Sequence, residues 1–382
     1  MRRSRTVIAT LSAAGLVTAL GVISAPAAGA NAREQRPALS VVADHLNNPR
    51  GLSPAPGGGL YLAEAGAGGD VCVDGGVTCI GLTGSLDLVR TSGVQRVVSG
   101  LFSVSGPGGI AAGGPSAVWG GPDGTFYGLF AESSHAVSPE GTVPANLRDA
   151  ALAQLGHLVL VKPAGSMKDI SDVGDQDWTW TSTRIDLAND FPDANPNAVL
   201  YSLGVRYVID AAANTLVEVQ RGGAVKVLAF FGVPAGSQSD SVPTCVARGP
   251  DGALYVAELL GGLYSPGGAR VWRVVPGQAP QVWATGLTTV QGCGFGQDGA
   301  FYATEFQVGG LNLGPTANPA GDVVRIDRQG HRTHLGVGEL FFPSGFAAGS
   351  DGAIYVSNCS IAPATGMGPL LCPTGGQVVR IG

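Results

Sequence analysis

The sequence predicts an all-β fold, a six-bladed β-propeller, from three observations. A tyrosine follows a proline, or a valine in its place, at an almost constant distance six times, and regular self-similarity marks a repeat fold. A glycine-containing turn lies between the two residues in each repeat. The last repeat lacks a fourth strand, whereas an unassigned apolar stretch precedes the first. The six pairs are Pro49/Tyr61, Pro115/Tyr127, Pro196/Tyr207, Pro243/Tyr255, Val290/Tyr302 and Pro343/Tyr355.

Each repeat predicts four short antiparallel strands. Residues 243–275 show the pattern most clearly: PTCVARG, a PDG turn, ALYVAE, a glycine-rich loop and ARVWRVV. The apolar stretches alternate and are too short for helices, and Asp-Gly favours a hairpin because glycine accepts the positive φ of the turn. A fourth strand follows in most repeats, as in AVKVLAFF. Six such units predict propeller blades, whereas the alternative of two β-sandwich domains lacks a linker.

The two ends of the propeller are predicted to close the ring together. Residues 38–46 form an apolar stretch before the first proline, and the chain stops at GGQVVRIG without a fourth strand. The N-terminal strand is therefore expected to complete the sixth blade and to remove an exposed sheet edge. Helix is predicted only for residues 143–155.

The first 32 residues are typical of a secretory signal peptide. Three arginines precede an apolar stretch, which ends in small residues that suit a cleavage site. Residues 33–382 then form the propeller of a secreted or extracytoplasmic protein. Six cysteines in an exported chain predict disulfides, and zinc is less favoured because no CxxC motif occurs. The predicted pairs, among the alternatives that six cysteines allow, are Cys72–Cys79, Cys245–Cys293 and Cys359–Cys372.

The charge and hydropathy of the chain exclude two classes of partner. The net charge of −6 becomes −9 once Arg2, Arg3 and Arg5 are removed with the signal peptide. An acidic surface without a basic run gives no electrostatic footprint for nucleic acid. Beyond the signal peptide, no apolar stretch approaches the roughly 20 residues that cross a bilayer. We expect a monomer that binds no nucleic acid and has no membrane span, and that is either free or associated with the cell envelope.

Two sets of equivalent positions predict where a ligand binds. The first, the channel-mouth ring, holds the polar residue after each proline position, and the first strand of a blade lines the central channel. It comprises Arg50, Ser116, Asn197, Thr244, Gln291 and Ser344. The second, the strand-end set, lies three residues after each repeat tyrosine. It comprises Glu64, Phe130, Asp210, Glu258, Glu305 and Asn358.

Both sets are predicted to share the face from which the long loops leave, where binding sites concentrate. The predicted ligand-binding residues are the whole ring together with Glu64, Asp210, Glu258 and Glu305. Structural roles are the alternative, because acidic residues at strand ends also accept backbone hydrogen bonds and a polar ring also holds water. The repeat tyrosines are interpreted as packing between blades.

Other motifs carry less weight. Residues 294–299, GFGQDG, match the dinucleotide-binding fingerprint, but a strand follows where a helix is required, so a hairpin is predicted. The five histidines are scattered and identify no catalytic triad. Asp172, Asp175 and Asp177 offer oxygen ligands for Ca²⁺, yet they are interpreted as part of a solvated insertion.

Several segments resemble the ScyD/ScyE family of exported propeller proteins. They are HLNNPRGLSPAPGGGLYLAEAG, GGPSAVWGGPDGTFYGLF and DANPNAVLYSLGVRYVIDAAANTLVEV. The resemblance covers nearly all of residues 33–382, and single blades are also similar to NHL repeats. It implies an exported propeller and carries over no activity. The family's NPYG-like segment reads Asn195-Pro196-Asn197-Ala198 here.

The favoured functional prediction is a non-enzymatic scaffold that binds an unknown small molecule or protein through the loop-rich face. This hypothesis has no catalytic residues, no cofactor and no metal, and it centres on Arg50, Asn197, Thr244 and Gln291. The alternative is a lactonase-like, metal-dependent hydrolase or lyase at the channel mouth. Glu64, Glu258 and Glu305 would be its ligands for Ca²⁺ or another divalent ion, or its acid/base groups, although the ring itself offers only hydroxyls, two amides and Arg50.

Overall fold

The computed structural model describes residues 37–136, 143–188, 190–232, 240–261, 266–312 and 318–382. The predicted signal peptide, residues 1–32, lies outside them. The described chain forms six antiparallel sheets. Their first strands contact one another in succession and the last contacts the first, so the sheets surround a central channel. The predicted six-bladed β-propeller is confirmed.

The strands follow the predicted repeats. Strand β1 (Leu39–Leu46) precedes the first blade, which comprises β2 (Pro49–Pro54), β3 (Leu60–Glu64), β4 (Val71–Val73), β5 (Thr78–Arg90) and β6 (Gly93–Ser105). The second blade comprises β7 (Pro115–Gly120), β8 (Phe126–Phe130), β9 (His157–Val161) and β10 (Met167–Asp172). The third blade comprises β11 (Pro196–Ser202), β12 (Val205–Asp210), β13 (Thr215–Val219) and β14 (Val225–Phe230). The fourth blade comprises β15 (Pro243–Arg248), β16 (Leu254–Glu258), β17 (Ala269–Val274) and β18 (Gln281–Leu287). The fifth blade comprises β19 (Val290–Phe295), β20 (Phe301–Glu305), β21 (Ala320–Ile326) and β22 (Arg332–Phe341). The sixth blade contains β23 (Phe346–Ala348), β24 (Ile354–Asn358) and β25 (Gly376–Ile381).

The ring closes as the sequence predicts. Strand β1 pairs antiparallel with β25, with Leu39 opposite Ile381, and becomes the outermost strand of the sixth blade. The sixth blade therefore combines one N-terminal strand with three C-terminal strands. This pairing covers an edge of β25 that would otherwise expose unpaired backbone groups.

The repeat tyrosines pack between blades, which confirms their interpretation. Tyr61 of the first blade stacks on Phe126 of the second, with ring centroids 4.3 Å apart. Tyr302 of the fifth blade stacks on Phe346 of the sixth at 5.6 Å. The hydrophobic clusters likewise join strands of neighbouring blades, so apolar burial between sheets is the main cohesive force of the ring.

Two α-helices lie in the described part of the chain, and only one of them was predicted. Helix α1 (Ala145–Gln154) falls inside the predicted stretch and packs on Ile80 and Phe102 of the first blade. Helix α2 (Val173–Ser182) was missed, and the interpretation of its segment as a solvated insertion is wrong for Asp177, which is 0% exposed. The Asp172 side chain caps α2 by accepting a hydrogen bond from Asp175 N. Val173, Asp177 and Thr181 form its buried face.

The three disulfides match the predicted pairing. Cys72–Cys79 joins β4 to β5, Cys245–Cys293 joins the first strands of the fourth and fifth blades, and Cys359–Cys372 closes a loop of the sixth. Three disulfides are typical of an oxidising, extracytoplasmic compartment. Among the described residues, no helix has the length and apolar character needed to cross a membrane.

The segment that matches the dinucleotide fingerprint is a hairpin, as predicted. It spans the turn between β19 and β20, where Gly296 N bonds to the carbonyl of Ala300. Gly299 adopts a φ of 73°, the left-handed conformation that such a turn requires. No helix N-terminus is available there to receive a phosphate.

Candidate functional site

β-Bulges build the channel-mouth ring. In five blades the pairing of the first and second strands shifts register at the predicted polar position. A bulge takes a residue out of the ladder and redirects its side chain. The residues within these shifts are Arg50, Ser116, Asn197, Thr244 and Gln291. Ser344, the sixth member of the ring, lies just before β23.

Four side chains of the ring join neighbouring blades. Each donates a hydrogen bond to a backbone carbonyl at or beside the proline position of the next blade. The bonds are Ser116 Oγ to Pro196 O (3.3 Å), Asn197 Nδ2 to Thr244 O (2.8 Å), Thr244 Oγ1 to Val290 O (2.6 Å) and Ser344 Oγ to Pro49 O (3.3 Å). These four side chains therefore have a structural role, whatever else they bind.

Arg50 and Gln291 make no such contact between blades. Arg50 Nη2 donates to the carbonyl of Ala112 at 2.6 Å, and its guanidinium pairs with no carboxylate of the described residues. Burial lowers the pKa of Arg50 to about 10, so the side chain stays positively charged at neutral pH. The Gln291 amide has no hydrogen-bond partner in the described part of the chain.

The carboxylates of the strand-end set are buried. Glu64, Asp210 and Glu258 are 0% exposed, and Glu305 is 5% exposed. Each accepts a hydrogen bond from the segment that enters its own blade. The donors are Asn47 N to Glu64, Asn195 N to Asp210, Ser241 Oγ to Glu258 and Thr288 N to Glu305. These side chains thus hold the entering segment against the second strand, and their role toward a ligand stays a prediction.

In the fourth and sixth blades the strand-end residue faces a complementary group where the third strand begins. Glu258 accepts two hydrogen bonds from the Arg270 guanidinium, at 2.7 and 2.8 Å, and a third from Trp272 Nε1 at 2.6 Å. Asn358 Nδ2 donates to Gln377 Oε1 at 2.9 Å. In the first and third blades Ser85 lies opposite Glu64 and Thr215 opposite Asp210, and their hydroxyls donate to Asp87 and Asp177.

In the fifth blade the direct ladder partner of Glu305 is a second carboxylate, Asp322. His334 of β22 joins them, with its Nδ1 2.6 Å from Asp322 Oδ2. The three ligand atoms lie within 4.8 Å of one another. Asp322 Oδ1 is buried and has no hydrogen-bond partner among the described residues.

A cavity of about 430 Å³ adjoins this cluster. Glu305, Asp322 and His334 line it with Thr288 and two exposed valines, Val308 and Val337. Because the His334 side chain is 52% exposed, solvent reaches the cluster from that side. A larger cavity of about 520 Å³ lies beside α2, but only one carboxylate, Asp177, lines it.

The electrostatics of the cluster favour a bound cation. Burial, and then the charge of Asp322, raises the pKa of Glu305 to about 7. Burial also raises the pKa of Asp322, although the bond from His334 opposes this rise. Imidazole and carboxylate are ligand types that suit Zn²⁺ and Mn²⁺, and a set of three protein ligands leaves a coordination position open. The residues present therefore fit a divalent metal ion.

Two other blades hold a pair of buried carboxyl groups without a histidine. Asp87 lies beside Glu64 in the first blade, and burial, followed by Glu64, raises the pKa of Asp87 to about 9. Asp177 of α2 lies beside Asp210 in the third, and burial, followed by the charge of Asp210, raises the pKa of Asp177. Within the described ranges, neither pair belongs to a group of three metal-ligating side chains.

Asp322 and His334 are absent from the predicted site. His334 lies opposite Val324 in the ladder, and Val324 is two residues from Asp322 on the same strand. Residues two apart on a strand share a face, so this register brings the imidazole to the carboxylate. The polar residue after Gly321 is visible in the repeat pattern, but the register of β22 is not.

Comparisons with known proteins support the fold. No family model and no curated protein matches the chain, so membership of the ScyD/ScyE family stays a prediction. Among solved structures, a glucose dehydrogenase has a TM-score of 0.53 at 16% identity, over 91% of this chain and 99% of that one. The calcium-binding protein regucalcin from Agrobacterium tumefaciens has 0.51 at 15%, over 91% and 94%. A gluconolactonase from Xanthomonas campestris has 0.51 at 8%, over 90% and 89%.

These neighbours correct the favoured functional prediction. Two of them are enzymes by description and the third is a calcium-binding protein, so the prediction of a non-enzymatic scaffold is wrong on this comparison. The lactonase-like alternative agrees better with them. At such low identities the likeness establishes the propeller fold, and the reaction has to be argued from the site itself.

Proposed function

We propose that this protein is a metal-dependent hydrolase of the lactonase type, with a divalent cation held by Glu305, Asp322 and His334. One observation carries the proposal. In the fifth blade two carboxylates lie opposite each other, at the position where the fourth and sixth blades pair the strand-end residue with a hydrogen-bond donor or acceptor that complements it. Two buried like charges are costly unless a proton or a cation lies between them. The His334 imidazole beside Asp322 and the adjoining cavity favour the cation.

The centre differs in position from the alternative that the sequence predicts. Of the three proposed ligands at the channel mouth, only Glu305 belongs to it. Glu258 is neutralised by Arg270, and Glu64 accepts Asn47 N and lies 3.5 Å from Arg96 Nη2. The cavity lies between the fourth and fifth blades, since Gly267 and Gly286 form its other wall.

The surrounding residues prepare the site for hydrolysis of a cyclic or open ester. A bound divalent cation supplies polarisation of a carbonyl group and a lowered pKa for water. Thr288 N holds Glu305 Oε1 at 2.6 Å, and the contact between Asp322 and His334 orients the imidazole. Val308 and Val337 offer an apolar wall for the carbon skeleton of a substrate.

The first experiment is calorimetric titration of metal-free protein with Zn²⁺, Mn²⁺ and Ca²⁺, followed by a hydrolysis assay on aliphatic lactones and aryl esters. We expect one ion per chain and metal-dependent hydrolysis. D322N and H334A should each weaken metal binding at least about 10-fold, as removal of a metal-site partner does.

The matched control is D87N, which removes one carboxylate from the pair in the first blade and should leave metal affinity unchanged. Equal metal affinity in wild type and D322N would overturn the proposed centre. Stoichiometric binding without hydrolysis of any substrate in the panel would retain the centre and refute the hydrolase.

A further inference from the structure

We infer that the mouth of the central channel is a second ligand site, which binds a small carboxylate anion through Arg50 and Gln291. This site is separate from the proposed metal centre and does not depend on it. It lies on the first strands of the blades, whereas the metal ligands lie on the second, third and fourth strands of the fifth blade.

Elimination within the ring singles out these two residues. The other four side chains of the ring each donate a hydrogen bond to a backbone carbonyl of the next blade; they are Ser116, Asn197, Thr244 and Ser344. The Gln291 amide makes no hydrogen bond within the described chain, and Arg50 makes one, to Ala112 O. An arginine side chain has five N–H donors, so most of its capacity remains available.

The charge of Arg50 determines the class of ligand. It is the one charged member of a ring otherwise built from hydroxyls and amides. Among the described carboxylates, none lies within ion-pair distance of its guanidinium, and the strand-end Glu64 is already engaged by Asn47 N and Arg96. A partly buried cation without a counter-charge is unfavourable, and a bound anion relieves that cost.

The placement of the two side chains suits a small anion. Arg50 lies on β2 and Gln291 on β19, and both strands contact β23, so the two residues flank Ser344 at equivalent bulges. A planar guanidinium binds a carboxylate with two parallel hydrogen bonds, and an amide N–H is a further donor of the kind that a carboxylate accepts. These donors therefore favour a carboxylate over a spherical halide.

A purely structural role for Arg50 is the competing explanation, since its contact with Ala112 tethers the loop between β6 and β7. The two roles differ in one observable. A tether stabilises the fold whatever anion is present, whereas a ligand site gives a saturable response to carboxylate that exceeds the response to chloride.

The test uses chelator-treated protein, so that acetate cannot bind to a metal ion at the proposed metal centre. Acetate and chloride are compared at matched ionic strength by thermal unfolding and by saturation-transfer NMR on acetate. We expect acetate, and not chloride, to raise the melting temperature saturably. R50Q should weaken acetate binding at least 10-fold, Q291A about threefold, and R50K to an intermediate degree because it keeps the charge and loses the paired geometry.

The matched control is R206Q, because Arg206 Nη2 also donates to one backbone carbonyl, that of Gln220, away from the ring. It should leave the acetate response unchanged. Equal responses to acetate and chloride, or an acetate response in R50Q equal to that of wild type, would overturn the inference. If R50Q fails to fold, the R50K and Q291A titrations decide in the same way.

Discussion

The fourth and fifth blades place a glutamate at the same point of the same scaffold and use it differently. The Arg270 guanidinium neutralises Glu258, and Trp272 Nε1 donates a further hydrogen bond to the same carboxylate. Glu305 faces Asp322 and opens onto a cavity. In this repeat fold the cross-strand partner, rather than the strand-end residue itself, separates a structural position from a candidate reactive one.

Removing the partner in the fourth blade should have the largest effect. R270A leaves Glu258 buried without its cation, and breaking a buried ion pair from one side costs about 3–5 kcal/mol of unfolding free energy. Urea unfolding of wild type and R270A measures this loss. The double variant E258Q/R270A should recover part of it, because the uncompensated charge is gone.

The comparison fails if the unfolding free energy of R270A lies within about 1 kcal/mol of that of wild type, the range of ordinary surface substitutions. R206A serves as the control, because it removes a partly buried arginine that donates to a backbone carbonyl and pairs with no carboxylate in the described chain.

An intermediate effect is expected in the first blade, where Asp87 and Glu64 lie together without a histidine. The pKa of Asp87 is raised from 3.8 to about 9, so the protonated form stabilises the fold. That stability is fully present below pH 3.8 and is lost as the pH rises through about 9. D87N removes the penalty and should be more stable than wild type at pH 8 by about 1–3 kcal/mol, the cost of one buried unsatisfied polar group.

Chemical unfolding of wild type and D87N between pH 4 and pH 9 tests this expectation. The difference in stability should grow with pH in favour of the variant. Parallel curves across the whole range would show that Asp87 does not hold a proton in the folded state, and the contrast between the first and fifth blades would then need another cause.

The smallest effect is expected where the fourth and fifth blades are alike. Asp251 and Asp298, in equivalent Asp-Gly turns, each pair with an arginine of the third strand at 2.7 Å. Both aspartates are over a third exposed, and exposed ion pairs contribute little to stability. D251N and D298N should therefore show the same slight loss in thermal unfolding. A clear difference between them would mean that the two blades differ in more than the strand-end partner.

Much of the fold was predictable because its signals are local. The Asp-Gly turns, the alternating strands and the missing fourth strand of the last repeat predict the blades and their closure. Helix α2 was missed because its short segment carries four aspartate and tryptophan residues, a composition that also suits an exposed loop. Only the packing of its inner face against the third blade shows that Asp177 is buried.

The sequence predicted where the candidate site residues lie in the repeat, but it did not predict which residues they contact. The repeat identified Glu305, Arg50 and Gln291, since equivalent residues of a repeat occupy equivalent places in the ring. Only the tertiary structure decided that Glu305 meets Asp322 and His334, and that four members of the ring are consumed by contacts between blades. The physical reason is that strand periodicity sets which face a side chain occupies, whereas register and bulges, which depend on pairing between strands distant in sequence, set what it touches.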